Sequence, residues 1–311
     1  MSEQNHLNIT SKEKGFGSVF REITHNCGLG LLNPNHVKLF CLDVNSNLFC
    51  YESLHSYLEK NIGNYVFSRL RIEQFKEEDA IETISLKAID YLRKADNPKD
   101  KGAGGELGEI LLYLFLEQVL KAPKLLSKVE LKSSTNQYVY GCDGVHLFKG
   151  VHDSGDIYHQ LVLGESKIIG DIEDAIDAAF ESISNFNLDN SADLNLIETN
   201  IFKEAFDKKT TEYIKSLVIP SKRELSEPVD KAFGIFLGYT PNLDRAVSNH
   251  DFRINLDRQV ESDLEEAIPY IISKINDNEM QHNSFYFYVL PFNNAMHDRA
   301  MIINRLKGVV K

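Results

Sequence analysis

Two charged side chains, Glu165 and Lys167, stand two residues apart inside an apolar run over residues 161–169. Successive side chains of a β-strand point to opposite faces, so these two share one face. Because burying an unpaired carboxylate or ammonium costs several kcal/mol, the chain needs a use for both charges. An isolated Glu-x-Lys most often forms a structural ion pair. The alternative is a divalent metal ion with a reacting water, which would satisfy both groups.

A third charged side chain, Asp143, lies in a second predicted strand. Residues 138–148 are rich in aromatic and β-branched side chains and contain this single acid. The polar residues between the two strands predict a turn, and a hairpin closed symmetrically about Ser154 sets Asp143 opposite Glu165. The two Cβ atoms would then be ~5 Å apart. Two carboxylates at that distance repel each other unless a cation lies between them.

Two further acids, Glu106 and Glu109, come directly before a long apolar segment. Residues 110–120 are apolar nearly all round, which predicts a buried helix. The i,i+3 spacing sets both acids on one side of its first turn. Acids at a helix N-terminus also complement the helix dipole, so a purely structural role stays open. The glycines before them lack the Lys-Ser/Thr pair of a phosphate-binding loop.

The order of these groups resembles the PD-(D/E)XK nuclease superfamily, with an acid-bearing helix, an Asp on one strand, Glu-x-Lys on the next and then a helix. Here that last helix is predicted over residues 171–183. Segments 104–109, 142–146 and 164–167 resemble more narrowly the HamA family, the effector nucleases of Hachiman anti-phage defence, which work with the helicase HamB. Cys142 stands where the superfamily often has Pro, at a position that supplies no ligand.

The resemblance implies a metal-dependent deoxyribonuclease, an endonuclease that hydrolyses phosphodiester bonds. Asp143 and Glu165 would bind Mg²⁺ or Mn²⁺, since carboxylates are the hard oxygen ligands that both ions prefer. Glu109 or Glu106 would add a ligand directly, through water or at a second ion; we prefer Glu109, which is deeper in the helix. Lys167 would orient the attacking water and offset charge in the transition state.

The net charge of −12 is unusual for an enzyme that acts on DNA. Residues 141–200 carry 12 acids and 2 bases, so most of this charge lies in and just after the predicted site. Because phosphate neutralisation supplies most non-specific DNA affinity, we expect the protein to bind DNA weakly alone. The charge balance favours a partner, a HamB-like helicase under the resemblance, that delivers the DNA or restrains the enzyme.

The segment pattern predicts an α/β fold, with a PD-(D/E)XK-like core, a mixed central β-sheet flanked by helices and an N-terminal α/β extension. A soft boundary at about residue 85 divides residues 1–85, which would either dock a partner or complete the fold, from a predicted nuclease domain over 86–311. Strands at 232–240 and 284–291, joined by a helix over 255–276, predict a parallel extension of the sheet. The other predicted elements are a strand and two helices, residues 36–44, 51–68 and 78–94.

Nothing in the sequence predicts a membrane span or a secretory signal. No run of about 18 apolar residues is present, and residues 1–6 are polar. The four cysteines show no C-x-x-C spacing, which fits reduced thiols. With the resemblance, these observations predict a cytoplasmic bacterial protein. His146, His152 and His159 match no metal-ligand spacing, and we expect them on the surface or within strands.

Two other functions stay open. A stand-alone restriction or repair nuclease would bind its DNA tightly without a partner, and the acidic charge balance argues against it. A non-catalytic PD-(D/E)XK-like scaffold would only bind a partner. The joint presence of Asp143, Glu165 and Lys167 argues against that scaffold, because an inactive protein has no use for buried charges.

Overall fold

The computed structural model describes residues 7–95, 105–127, 129, 142–185, 208–218 and 229–309. The strands are β1 (Arg21–Ile23), β2 (Asn35–Cys41), β3 (Val44–Asn45), β4 (Leu48–Phe49), β5 (Gly144–Val151), β6 (Ile157–Ile168), β7 (Val229–Tyr239) and β8 (Ser284–Pro291). The helices are α1 (Phe16–Val19), α2 (Glu52–Val66), α3 (Arg69–Glu77), α4 (Ile84–Ala95), α5 (Gly105–Gln118), α6 (Ile172–Ser184), α7 (Lys208–Val218), α8 (Asn249–Asp277) and α9 (Ala295–Leu306).

Six strands form one mixed sheet in the order β1-β2-β8-β7-β6-β5, and β3 pairs with β4 in a separate short hairpin. Strands β2, β8, β7 and β6 run parallel to one another, whereas β1 and β5 are antiparallel edge strands. Helices cover both faces, which confirms the predicted mixed sheet flanked by helices. The predicted parallel strand–helix–strand unit is also confirmed as β7, α8 and β8.

The β5–β6 hairpin closes in the predicted register. Gly144 pairs with Gly164, and the Asp143 N–H donates to the Gly164 carbonyl at 2.8 Å. The prediction that Asp143 lies within the strand is wrong, since β5 begins one residue later; residues 138–141 lie outside the described residues. The reason is that the Ser166 N–H of β6 donates to the Asp143 side chain. In a longer β5 this N–H would donate to a backbone carbonyl of that strand.

Helix α5 lies directly on the sheet because two glycines leave room for it. A Cβ atom at Gly108 would stand 2.7 Å from the Ser166 hydroxyl oxygen. A Cβ atom at Gly164 would stand 2.8 Å from a methyl carbon of Leu112. Contacts this short force the backbones apart. The predicted buried apolar helix is therefore confirmed, and its first turns are held against the carboxyl-terminal part of β6.

The N-terminal residues complete the same sheet, because β2 pairs with β8. Strands from both sides of residue 85 thus share one sheet, and the domain boundary stays a prediction. The helix predicted over 51–68 ends at Val66, and Ser68 then caps α3, which the sequence analysis missed. The helix predicted over 78–94 begins later, at Ile84, after a 3₁₀ turn.

The four parallel strands all end at one edge of the sheet, and helices α6, α8 and α9 begin there. Their first turns are capped by the side chains of Asp171, Ser248 and Asn294. Ligands of open α/β sheets bind outside the carboxyl ends of the strands. Glu165 and Lys167 are among the last four residues of β6, so the fold brings them to this edge. None of the described helices is both long enough and apolar enough to cross a membrane.

Candidate active site

Glu165 and Lys167 form an ion pair on one face of β6. The Lys167 Nζ atom lies 2.8 Å from Glu165 Oε1. Glu165 is 3% exposed, whereas 26% of the Lys167 side chain is exposed, because a lysine can carry its ammonium to solvent on an apolar stem. The second Glu165 oxygen, Oε2, is buried and has no hydrogen-bond partner among the described residues. The hydroxyl of nearby Ser182 donates to the Ala178 carbonyl instead.

The surroundings of Glu165 favour its neutral form. Burial, followed by the negative charge of Asp143, raises the pKa of Glu165 to about 7 against the opposing effects of Lys167 and of the Ser182 hydroxyl. Among the described residues the buried Oε2 atom makes no hydrogen bond, and a buried carboxylate oxygen is costly to leave in that state. A divalent cation would supply the missing positive charge and would favour the ionised carboxylate. The donor chemistry at Glu165 and Asp143 therefore fits Mg²⁺ or Mn²⁺.

Asp143 is fixed by Ser166, a residue that the sequence analysis missed. The Ser166 N–H and hydroxyl donate to Asp143 Oδ2 at 2.9 Å and 2.6 Å. Hydrogen bonds to an ionised carboxylate are short and strong, so this oxygen is held in one position. Ser166 points to the face opposite Glu165, beneath Gly108 of α5. Its place between two candidate residues was the signal that could have identified it.

The two acids of α5 are each held by a buried side chain. The Tyr65 hydroxyl donates to Glu109 Oε2 at 2.9 Å, and Lys307 Nζ lies 3.0 Å from Glu106 Oε1. Burial, followed by the charge of Glu109, raises the pKa of Tyr65 well above its usual value, and Asp143 and Glu106 act in the same direction. Tyr65 therefore stays a proton donor within electrostatic range of three acids.

Tyr65 and Lys307 could not have been found from local sequence. Tyr65 precedes Glu109 by 44 residues, and Lys307 follows Glu106 by 201 residues. No periodicity or spacing links partners this far apart. Only the packing of α2 and of the chain after α9 against α5 brings them together.

Asp143 connects the predicted residues of β6 with the acids of α5. Asp143 interacts electrostatically with Glu165 and with Tyr65, which holds Glu109. However, no three His, Cys, Asp or Glu side chains of the described residues are arranged to hold one metal ion together. A cation shared by Asp143 and Glu165 therefore stays a prediction. A ligand role for Glu109 or Glu106 stays a prediction.

The three hairpin histidines lie where the sequence analysis expects them. His146 and His159 are buried within β5 and β6, and His152 is exposed in the turn. His146 Nδ1 lies 2.8 Å from the Ala122 carbonyl, and burial lowers the pKa of His146 to about 4. His146 is therefore a neutral core residue near pH 7.

The fold and the site together define an α/β protein whose core is compatible with that of the PD-(D/E)XK nucleases. The family model of HamA matches residues 18–306. The chain belongs to the HamA family, as its sequence resemblance predicts, and membership implies an effector of Hachiman defence. Comparison with curated proteins gives no match.

Proposed function

We propose that the protein is a metal-dependent deoxyribonuclease, the hydrolytic effector of a Hachiman anti-phage system. The observation that carries this proposal is the state of Glu165. One of its oxygens is paired with Lys167, and the other is buried without a donor among the described residues. A structural ion pair needs no second, unsatisfied oxygen, whereas a carboxylate that binds a cation does.

Asp143 and Glu165 would hold the cation, Mg²⁺ or Mn²⁺. When bound, such an ion polarises a phosphoryl oxygen, lowers the pKa of a water and stabilises the leaving 3′ oxygen. Both carboxyl groups are suited to bind the cation. Ser166 holds Asp143 Oδ2 in place, and Glu165 releases its proton when positive charge arrives, because its pKa lies near 7.

Lys167 supplies the second catalytic charge. Its ammonium contacts Glu165 Oε1 and is partly exposed, so it can face solvent and a substrate phosphate at the same time. A fixed cation beside the reacting phosphorus orients the attacking water and offsets negative charge in the transition state. Glu109, held by Tyr65, adds negative charge on the α5 side of the site.

Cleavage of supercoiled and linear plasmid with Mg²⁺ or Mn²⁺ tests the proposal. We expect metal-dependent cutting that falls more than ~100-fold in Glu165→Gln and in Lys167→Met. Nicked or fragmented circles would identify an endonuclease. Glu181→Gln, which removes an exposed acid of α6, is the matched control and should cut normally. Undiminished cutting by Glu165→Gln would contradict the site.

Regulation by a helicase partner is part of the proposal. The net charge of −12 supports weak DNA binding by the isolated chain. A HamB-like helicase would restrain the nuclease and deliver DNA when phage replication or damage engages it. Cutting by the reconstituted complex with ATP, lost with Glu165→Gln, would support this regulation. Equal cutting by the isolated chain and by the complex, with or without ATP, would favour a stand-alone restriction or repair nuclease.

One observation favours the non-catalytic alternative. The described residues contain no group of three side chains arranged to hold one metal ion. A scaffold that only binds a partner needs no such group. Absence of cutting by both the isolated chain and its complex, with no divalent-metal binding, would support that alternative.

A further inference from the structure

A guanidinium group lies beside the candidate active site without a carboxylate partner. Arg299 of α9 donates from Nη1 to the Ile168 carbonyl at 2.7 Å. Ile168 is the last residue of β6 and follows Lys167 directly. Arg299 therefore reaches the carboxyl end of the strand that carries the proposed catalytic pair.

The backbone of β6 sets Arg299 and Asp143 on the same edge. The Gly164 carbonyl accepts from the Asp143 N–H, and the Ser166 N–H donates to the Asp143 carboxylate. Backbone groups of alternate residues point to one side of a strand, so the Ile168 carbonyl follows on that side. At about 3.3 Å per residue, the two contacts lie roughly 7 Å apart along β6. The Arg299 guanidinium thus contacts β6 two residues beyond the contact of Asp143, a candidate metal ligand.

The first turn of α9 is held rigidly, which fixes where Arg299 starts. The Ala295 N–H donates to the Thr240 hydroxyl at 2.9 Å. Asp298 Oδ2 accepts from the Tyr51 hydroxyl at 2.5 Å and from the Asn294 N–H at 2.8 Å. These bonds tie α9 to the ends of β7 and β8 and to the start of α2. Arg299 is the next residue of the helix.

Most donors of Arg299 are unused. An arginine has five N–H donors, and among the described residues only the Ile168 carbonyl accepts from this one. Its Nε atom is buried without a partner. Arg305 of the same helix differs, since it pairs with Glu52 through two bonds of 2.7 Å and 2.6 Å. Arg299 as a whole is half-buried, and an anion bound at its exposed part would accept from donors that the described residues leave unused.

We propose that Arg299 binds a phosphate of the DNA strand beside the phosphate that is cleaved. This proposal rests on the proposed nuclease function and assigns the site a second substrate-facing cation besides Lys167. A planar guanidinium suits the role, because it binds phosphate oxygens through two parallel hydrogen bonds.

The test measures DNA binding rather than cleavage. Glu165→Gln serves as the non-cleaving parent, and its affinity for a fluorescently labelled duplex and for the matching single strand is measured over a range of salt concentrations. Adding Arg299→Met should raise the Kd about tenfold. The slope of log K against log salt should also fall by about 0.9 for the duplex, the change for one lost phosphate contact.

Two further variants separate this role from structure and from overall charge. Arg305→Met removes the same charge from the same helix, and it should change the Kd less than twofold because its partner is Glu52. Arg299→Lys keeps the charge and a donor for Ile168 but loses the planar fork, so it should bind with intermediate affinity. Circular dichroism and unfolding temperature confirm that each variant is folded.

The outcomes are distinct. If the parent binds DNA and both Arg299 variants bind equally well, this proposal is overturned while the nuclease function stands. If Arg305→Met weakens binding as much as Arg299→Met, overall charge explains the effect and the proposal is again overturned. If the parent binds no DNA, alone or with its helicase partner, both the proposal and the nuclease function are overturned.

Discussion

Ser166 donates both its backbone N–H and its hydroxyl to one oxygen of Asp143, at 2.9 Å and 2.6 Å. Asp143 precedes β5, so no strand pairing orients its side chain. Ser166, which lies between Glu165 and Lys167 and points to the other face of β6, orients the Asp143 side chain instead. The strand that carries Glu165 and Lys167 therefore also positions Asp143.

Replacing Ser166 by alanine should weaken metal binding while leaving the fold in place. Ser166→Ala keeps the N–H bond to Asp143 and loses the hydroxyl bond. Residues that orient metal ligands typically contribute 10- to 100-fold to affinity, and we expect a loss near 10-fold. Titration of Mn²⁺ measures it. Ser184→Ala, at an exposed serine that bonds only the local helix, is the control; equal affinities for both variants would contradict the assigned role.

Tyr65→Phe tests whether Glu109 belongs to the site. The substitution removes the hydroxyl that donates to Glu109 and keeps the buried ring. We expect metal-dependent cleavage to fall about 10-fold through the misplaced acid. Tyr270→Phe removes a comparable bond to Asp177 between α8 and α6 and should cut at the normal rate. Unchanged cleavage by Tyr65→Phe would contradict a catalytic role for Glu109 that depends on its bond to Tyr65.

A methyl group at Gly108 should separate α5 from β6. Gly108→Ala places Cβ 2.7 Å from the Ser166 hydroxyl oxygen, and such overpacking costs about 1–3 kcal/mol. We expect a lower free energy of unfolding together with weaker metal binding, since Ser166 must move. Gly105→Ala in the same helix meets nothing within 4 Å. This control should be as stable as the wild type or slightly more stable.

The pKa of Glu165 predicts a pH-dependent stability. It rises from 4.5 to about 7 on folding, so between these values the folded state holds a proton that the unfolded state has released. Stability is therefore lost as pH rises through this range. Glu165→Gln cannot titrate, and its stability relative to the wild type should increase by about 1–3 kcal/mol between pH ~5 and ~8. Urea unfolding measures this difference, and parallel pH profiles would contradict it.

Divalent metal should reverse this loss of stability in the wild type. Mg²⁺ binds the folded state and favours the ionised Glu165 carboxylate, so it should raise wild-type stability most at the upper end of the pH range. Glu165→Gln should gain little. An equal gain in both proteins would mean that the ion acts elsewhere.

Sequence was sufficient for the part of the fold that local patterns determine. The turn between the two hairpin strands fixes their register, and the observed pairing of Gly144 with Gly164 follows from it. The alternation of Glu165 and Lys167 fixes their common face in the same way. The all-round apolar residues of α5 similarly indicate a helix buried on the sheet.

Contacts between distant segments could not be predicted. Nothing local to β2 indicates that it pairs with β8 rather than forming a separate unit. Tyr65 and Arg299 reach the site only because α2 and α9 pack around it. The start of β5 is predicted wrongly for a different reason. The β-branched and aromatic neighbours of Asp143 predict a strand there, but its own carboxylate accepts the Ser166 N–H in place of a backbone carbonyl. Side-chain hydrogen bonds decide such endpoints, and propensity does not describe them.

Calorimetric titration of Mn²⁺ into the wild type, Asp143→Asn and Glu165→Gln tests the central claim most directly. The claim is that these two carboxylates share a catalytic cation. It predicts saturable binding by the wild type that either substitution reduces by more than ~10-fold, with Glu181→Gln unchanged. Equal binding by all four proteins, or no binding by the wild type alone and in its helicase complex, would contradict it.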